Sequence, residues 1–588
     1  MRHLAVASLL IATSCATLHG SNESMTQSAR LNQIVERWFD EHLELNPLEA
    51  TYIGDHRFDD RFGNPASPEY DEKTRSSWER AKAQVTAIDP ATLSPEDQLT
   101  REVFLYDAND ALEGLQFPER LLPMNQMDGP LLDLAKFGSG ESAQPFKTVE
   151  DHKRWLKRAE GFRAWVDSAI AAMREGQGRG ITLPRVAMDN VLQQVDGFAK
   201  TTVEDSVFWK PLASLKPEDR AKLEPQYRRV FATEVMPAMV KLRDFLRDEH
   251  LPKCRESVGW SALPDGARWY AWHVKHSTTT ELTPDQIHEM GKKEVARILS
   301  GIEEVRAELA FKGTLQQFFG WARDNPELYF KKPEDLLSSY HELKKRIDGQ
   351  LPTLFSVFPK ADYEIRPVEA FRAESAPGAE YEQPSQDGTR PGIFYVNTFN
   401  LKAQPRYGMQ TLSLHEASPG HHFQVALQQE LKLPRFRRFG GYTAYAEGWA
   451  LYSETLGKQL GLYQTPMDYY GHLADGQLRA MRLVVDTGLH AKGWTREQAI
   501  QFMLDNSSMA ESDVTAEVER YLVWPGQALG YKVGQLRILA MRSRAEQALG
   551  PKFDVKAFHA AVLTNGALPM DVLEHRIDQL IANGGAIK

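Results

Sequence analysis

The sequence predicts a mainly α fold carrying one small β-sheet. Apolar residues recur at three- and four-residue spacing over most of the chain, the period of an amphipathic helix. Helix starts are marked by capping signals such as Thr283-Pro284-Asp285-Gln286, with an N-cap, a proline at N1 and a Gln at N3. A single stretch, about 362–401, breaks the pattern with short β-prone runs separated by Gly and Pro clusters.

The chain opens with Arg2 and His3, an apolar run over 4–12, then Thr13-Ser14-Cys15. This reads as a short secretory signal. Small residues before Cys15 resemble a bacterial lipoprotein cleavage site, with Ala12 standing where leucine is usual. Residues 1–24 are therefore expected to be a signal and tether with Cys15 lipidated, and a plain cleaved signal is the alternative. Residues 25–588 are expected to form one helical unit, with helices over 31–45, 149–174, 225–249 and 283–310. Ser94-Pro95 and Lys216-Pro217 mark two further starts. Strands are expected over 363–366, 380–382 and 393–398. The last, extended to 392–398, is read as an edge strand whose free backbone groups, with Asn397, bind an extended substrate; an ordinary sheet that packs the core is the alternative.

A net charge of −10 gives no basic field, so nucleic acid is excluded as the main partner. No apolar run reaches the roughly 18 residues of a spanning helix, which leaves a lipid anchor as the route to a membrane. Beyond Cys15 the remaining cysteine is Cys254, so a thiolate metal cluster is excluded and any metal must be held by His, Asp or Glu. A serine or cysteine hydrolase is disfavoured as well. There is no GxSxG elbow, and Cys254 has no identifiable partner.

The octapeptide HEASPGHH, 415–422, carries the chemistry. It opens with the His-Glu pair of a zinc metallopeptidase but has Pro419 where HExxH has its second histidine. In a regular helix His421, at i+6, would sit about 240° around the axis from His415 and about 9 Å along it. His422, at i+7, would return to the face but lie about 10.5 Å away. Pro419 has no N–H to give the His415 carbonyl, and Gly420 tolerates unusual dihedrals, so the helix is expected to bulge and absorb two extra residues. His421 is the preferred second ligand. His422 is the alternative, and whichever is not a ligand lines the pocket or binds substrate.

A third ligand is needed. In AEGWALYSE, Glu447 is an acid among small and aromatic residues, costly to bury unless paired or ligating. A helix-start carboxylate is its bland reading. Glu454, two turns on, lies on the same face and would orient a ligand histidine.

HEASPGHH, AEGWALYSE and YLVWPGQALGYKVGQ, with the blocks at 269–298 and 38–61, resemble a bacterial family known as domain of unknown function 885. That family in turn resembles the gluzincin metallopeptidases, including helical carboxypeptidases, oligopeptidases and the angiotensin-converting-enzyme group. The resemblance implies a two-lobed helical fold around a deep cleft, with lobes near 25–270 and 271–588 and Zn2+ on the cleft floor. It implies a peptidase for short peptides in the periplasm, or on the outer membrane, of a Gram-negative bacterium. His415, His421 and Glu447 would hold the metal, and Glu416 would act as general base. Tyr531 is the first candidate to donate to the oxyanion, with Tyr521 and His490 behind it. Arg482, Arg520 and Lys532 flank these segments as candidates for binding a peptide carboxylate, although Arg482 and Asp486, four apart, suit a plain ion pair. Two other functions are carried forward: a zinc amidohydrolase on a non-peptide amide, and a non-catalytic peptide-binding lipoprotein with a degenerate metal site.

Overall fold

A computed structural model describes residues 26–368, 373, 378–384 and 391–586. The signal segment, with Cys15, lies outside the described residues. The fold is mainly helical, with one three-stranded sheet. No helix of the described residues is long and apolar enough to cross a membrane.

Helix α1 (Gln27–Leu45) starts four residues before the apolar spacing does, because the Thr26 side chain caps it. It buries Leu31, Ile34, Val35, Trp38, Phe39 and Leu43, one stripe of its surface. The expected helix over 149–174 is two, Val149–Glu160 and Phe162–Gly178. They part at Gly161, where Phe62 packs against the backbone. The expected helix over 225–249 begins earlier, at Pro217, and reaches Met236–Phe245 through a wide turn at Phe231–Val235. Pro237 brings no N–H to the ladder, and a π-type turn accommodates the gap. Helix α2 (Pro284–Glu308) has the full capping box of Thr283 and Gln286.

Two large apolar cores hold the molecule together, and both draw on residues from either side of position 270. One joins Phe162, Trp165 and Met239 to Ile298, Met481 and Leu522. The other joins Leu31, Trp38 and Phe104 to Trp449, Tyr452 and Leu573.

Helix α3 (Pro333–Gln350) packs on the sheet, made of β1 (Tyr363–Pro367), β2 (Ala379–Glu382) and β3 (Gly392–Val396). The order is β1-β3-β2, with β1 parallel and β2 antiparallel to β3. This corrects the expectation of an edge strand at 393–398. β3 is central because Gly-Ile-Phe-Tyr-Val is buried along its whole length, and a strand apolar on both faces is paired on both sides. Asn397 closes the end of that strand. Its Nδ2 donates to the Ala373 carbonyl at 2.7 Å and its Oδ1 accepts from the Phe399 N–H at 3.0 Å.

The site is built from six later helices. These are α4 (Met409–Glu416), α5 (His421–Glu430), α6 (Thr443–Thr455), α7 (Pro466–Ala491), α8 (Glu511–Val523) and α9 (Gln527–Leu549). Helices α6 and α9 cross backbone to backbone. A Cβ on Gly448 would lie 2.6 Å from the Gly534 Cα, and one on Gly534 would lie 1.9 Å from the Ala444 carbonyl oxygen. Both positions must be glycine for this approach.

A candidate metal centre

The helix does not bulge at HEASPGHH; it stops and restarts. Helix α4 ends at Glu416, α5 begins at His421, and the Ser418–Pro419 peptide between them is cis. The bridge folds back so far that a Cβ on Gly420 would sit 1.9 Å from the His415 carbonyl oxygen. The Pro419 carbonyl, turned inward, accepts from Trp449 Nε1 at 2.8 Å and Ser453 Oγ at 3.3 Å, both on α6. One carbonyl thus ties the turn to the helix that bears Glu447.

The result is a cluster. Ligand atoms of His415, His421 and Glu447 all lie within 4.8 Å of one another. Glu447 Oε2 is 3.4 Å from His415 Nε2 and 3.3 Å from His421 Nε2. A tetrahedral zinc with bonds near 2.0–2.1 Å spaces its donors by about 3.3–3.4 Å. Glu447 Oε2 is also buried between the two imidazole nitrogens, where a carboxylate oxygen costs free energy unless it ligates or pairs. The residues fit a divalent cation with two imidazoles and one carboxylate.

Behind the cluster, Glu454 Oε1 accepts from His415 Nδ1 at 2.8 Å, and both side chains are buried. This bond fixes the tautomer that turns His415 Nε2 toward Glu447. Burial works to lower the His415 pKa, but hydrogen bonds to Glu447 and Glu454 outweigh it and hold the imidazole at about 10. Glu447 is held well below the usual carboxylate range: burial opposes this, and the charges of His421 and His415 prevail. A cation entering here would release protons. Glu416, half-buried beside the cluster, has its pKa raised by burial and by Glu447, against the pull of His415 and His421.

His422 faces the other way. Its Nε2 donates to the Ala361 carbonyl and its Nδ1 meets the Tyr381 hydroxyl, each at 3.1 Å, so it joins α5 to the sheet. Tyr531 lies close enough to Glu447 to feel its charge. Its Oη accepts from Arg520 at 3.2 Å, and the Arg482 guanidinium stacks 4.5 Å from its ring centroid. Tyr521 donates to Glu517 at 2.6 Å and is buried. His490 accepts from the Trp260 N–H at 3.2 Å and donates to the Tyr521 carbonyl at 2.9 Å, a packing role deep in the core. Lys532 is also buried and donates to Gln535 at 2.7 Å. Burial pulls its pKa down to about 8. The expected Arg482–Asp486 pair does not form. Arg482 pairs with Glu517 on α8 at 2.9 Å. Asp486 instead accepts from the Tyr270 hydroxyl at 2.5 Å and from the Gly526 N–H at the start of α9 at 3.1 Å, where a helix N-terminus favours negative charge.

Sequence reasoning passed over Asp475 and Arg479. Arg479 Nη1 meets Asp475 Oδ1 at 3.3 Å, and its guanidinium bears on Glu454, Tyr531 and Glu416. The signal was there: His472, Asp475, Arg479, Arg482, Asp486 and His490 run down α7 at three- and four-residue steps. A polar stripe on a helix otherwise buried in apolar contacts marks a charged layer inside the fold.

A helical fold with a His-His-Glu cluster, made by a broken helix and clamped from a second one, is the class these elements define. The chain belongs to the family described as bacterial protein of unknown function (DUF885), whose model matches residues 47–577. Among solved structures it is similar to a candidate lipoprotein from Colwellia psychrerythraea, with 30% identity, a TM-score of 0.89, and 95% of this chain and 100% of that one covered. It also shares the fold of a candidate lipoprotein of unknown function from Shewanella oneidensis, at 17% identity and a TM-score of 0.73, over 93% of this chain and 99% of that one. A search of curated proteins finds no match.

Proposed function

We propose that the protein is a zinc-dependent peptidase acting on short peptides. The observation that carries this is the spacing of His415 Nε2, His421 Nε2 and the buried Glu447 Oε2. A zinc ion held by these three would polarise a scissile carbonyl and bring the pKa of a water toward neutrality. Glu416 takes the proton of the attacking water and passes it to the leaving amine. Burial raises its pKa above the usual carboxylate range, which makes it a stronger base than a solvated carboxylate. Tyr531 donates to the developing oxyanion. Its hydroxyl accepts from Arg520, which leaves its own proton free, and burial raises its pKa so that the proton is retained. Glu454 keeps His415 oriented throughout.

The test is direct. The purified protein should hold one zinc per chain, and Glu416→Gln should keep the zinc while losing at least 100-fold in hydrolysis of short peptides. Wild-type turnover in a protein stripped of zinc, or full activity in the variant, would end the proposal. The location proposed with it is that of an exported lipoprotein, in the periplasm or on the outer membrane, supported by the segment ending at Cys15 and by the similar chain from Colwellia psychrerythraea described as a candidate lipoprotein.

A further inference from the structure

A cavity of about 600 Å³ opens between α1, the helix Pro95–Gly114, the helix Gly266–Thr278 and the start of α6, a size that suits a small molecule or a side chain. It shares no lining residue with the His-His-Glu cluster. One wall is aromatic. Trp38 and Trp78 stand with ring centroids 4.1 Å apart, Phe436 meets Trp38 edge-on at 6.3 Å, and Tyr106 meets Tyr442 edge-on at 5.9 Å. The polar groups opposite are acids. Asp107 Oδ1 accepts from the Tyr442 hydroxyl at 2.6 Å, and among the described residues Asp107 is in no ion pair within 4.0 Å. Asp110 Oδ2 meets His276 Nδ1 at 2.6 Å, while its Oδ1 is buried with no partner. The Tyr106 hydroxyl is likewise buried and partnerless.

The charges around the Tyr106 hydroxyl have one sign. Besides burial, the charges that bear on the Tyr106 hydroxyl are those of Asp110, Asp107, Asp571 and Glu281. Burial lifts the Asp107 carboxyl to about 7, against the Tyr442 hydrogen bond and the charges of Arg437 and His276, so a cation brought beside it would favour its charged form. The cation in the wall, Arg437, is directed away: its guanidinium donates to Thr100 Oγ1 and to the Asn565 carbonyl. His276 is engaged with Asp110. Aromatic faces beside a desolvated carboxylate attract a cation with N–H donors and an aliphatic stem.

We propose that this cavity is a binding site for an organic cation, a primary ammonium or guanidinium on an alkyl stem, with its head against Asp107 and Tyr106 and its stem along Trp78 and Phe436. Such a group ends a lysine or arginine side chain and also occurs in free alkylamines. The site is separate from the metal centre, so it stands whether or not the chain is a peptidase.

Calorimetric titration of the full mature chain tests this with two pairs of probes. 1-Aminopentane is set against 1-pentanol, and N-acetyl-lysine amide against N-acetyl-norleucine amide. At least one cation should bind 10-fold or more tightly than its neutral partner. If only the lysine amide does, the ligand is a basic peptide side chain; if only the free amine does, it is a small amine. Asp107→Asn should abolish the preference and Asp110→Asn should reduce it at least threefold, while Glu416→Gln leaves it unchanged. Equal binding of cation and neutral partner, which needs no variant to observe, overturns the proposal. So does an unaltered preference in folded Asp107→Asn.

Discussion

Gly420→Ala is the sharpest perturbation of the metal centre, because the structure gives its size. The added Cβ would lie 1.9 Å from the His415 carbonyl oxygen and 2.4 Å from that of Leu414, about 1.5 Å inside a normal contact of roughly 3.5 Å. Both obstacles are backbone, so no side-chain rotation relieves them. The turn between the two histidines must open by about 1 Å, whereas metal–ligand distances tolerate only about 0.2 Å. One of the three ligands is then lost. Structural zinc sites bind with roughly 10–16 kcal/mol over four ligands. One ligand is therefore worth about 2.5–4 kcal/mol, and zinc affinity should fall about 60- to 700-fold. Competition with a chromophoric chelator reads this directly, with urea unfolding of the zinc-free protein alongside to measure the cost to the fold. Gly197→Ala, whose Cβ meets nothing within 4 Å, is the control and should leave zinc binding intact. If Gly420→Ala binds zinc as the parent does, the close approach at residue 420 is not what brings His421 to His415.

Glu454→Gln keeps an acceptor for His415 Nδ1 but removes the charge behind it, so zinc affinity should fall about 10- to 100-fold; an unchanged affinity means that Glu454 does not tune the ligand. His422→Ala should leave zinc stoichiometry at one while costing about 1–3 kcal/mol in urea unfolding, from the lost bonds to Ala361 and Tyr381. Loss of zinc there would make His422, and not His421, the ligand. His559 is buried with its ring bonded to the Leu354 carbonyl and the Tyr452 hydroxyl, and burial depresses its pKa from 6.5 to about 4. The unfolded chain therefore takes up the proton first as pH falls. The contribution, about 3 kcal/mol at most, is full above pH 6.5 and disappears toward pH 4. Urea unfolding in a chelator at pH 7.5 and 4.5 should show this loss, and His559→Gln should flatten it; an equal slope in the variant would remove His559 as its source.

What sequence reading captured here is what local physics governs. Helix spacing and N-caps are properties of neighbouring residues, so α2 and its capping box were legible from Thr283 and Gln286 alone. The break at Gly161 was not, because its cause, Phe62, lies about a hundred positions away. The rank of β3 within the sheet was hidden for the same reason. An apolar pentapeptide shows that it is buried, and here that burial should have argued against an edge, but only the pairing with β1 and β2 makes it central.

The ambiguity between His421 and His422 has a different origin. Counting along a helix assumes that the helix continues, and here α5 restarts at His421 in a new direction. Adjacent residues on a helix point about 100° apart. Once α5 is placed against the sheet, one histidine must face the strands and the other the turn. That placement depends on the Pro419 carbonyl finding Trp449 and Ser453. It follows that AEGWALYSE is not a ligand motif with filler. Glu447 enters the cluster, Gly448 admits α9 and with it Tyr531, Trp449 and Ser453 hold the turn, and Glu454 orients His415. Each residue type follows from a contact made outside its own helix, which is why the segment reads as a plain buried helix until HEASPGHH is folded against it.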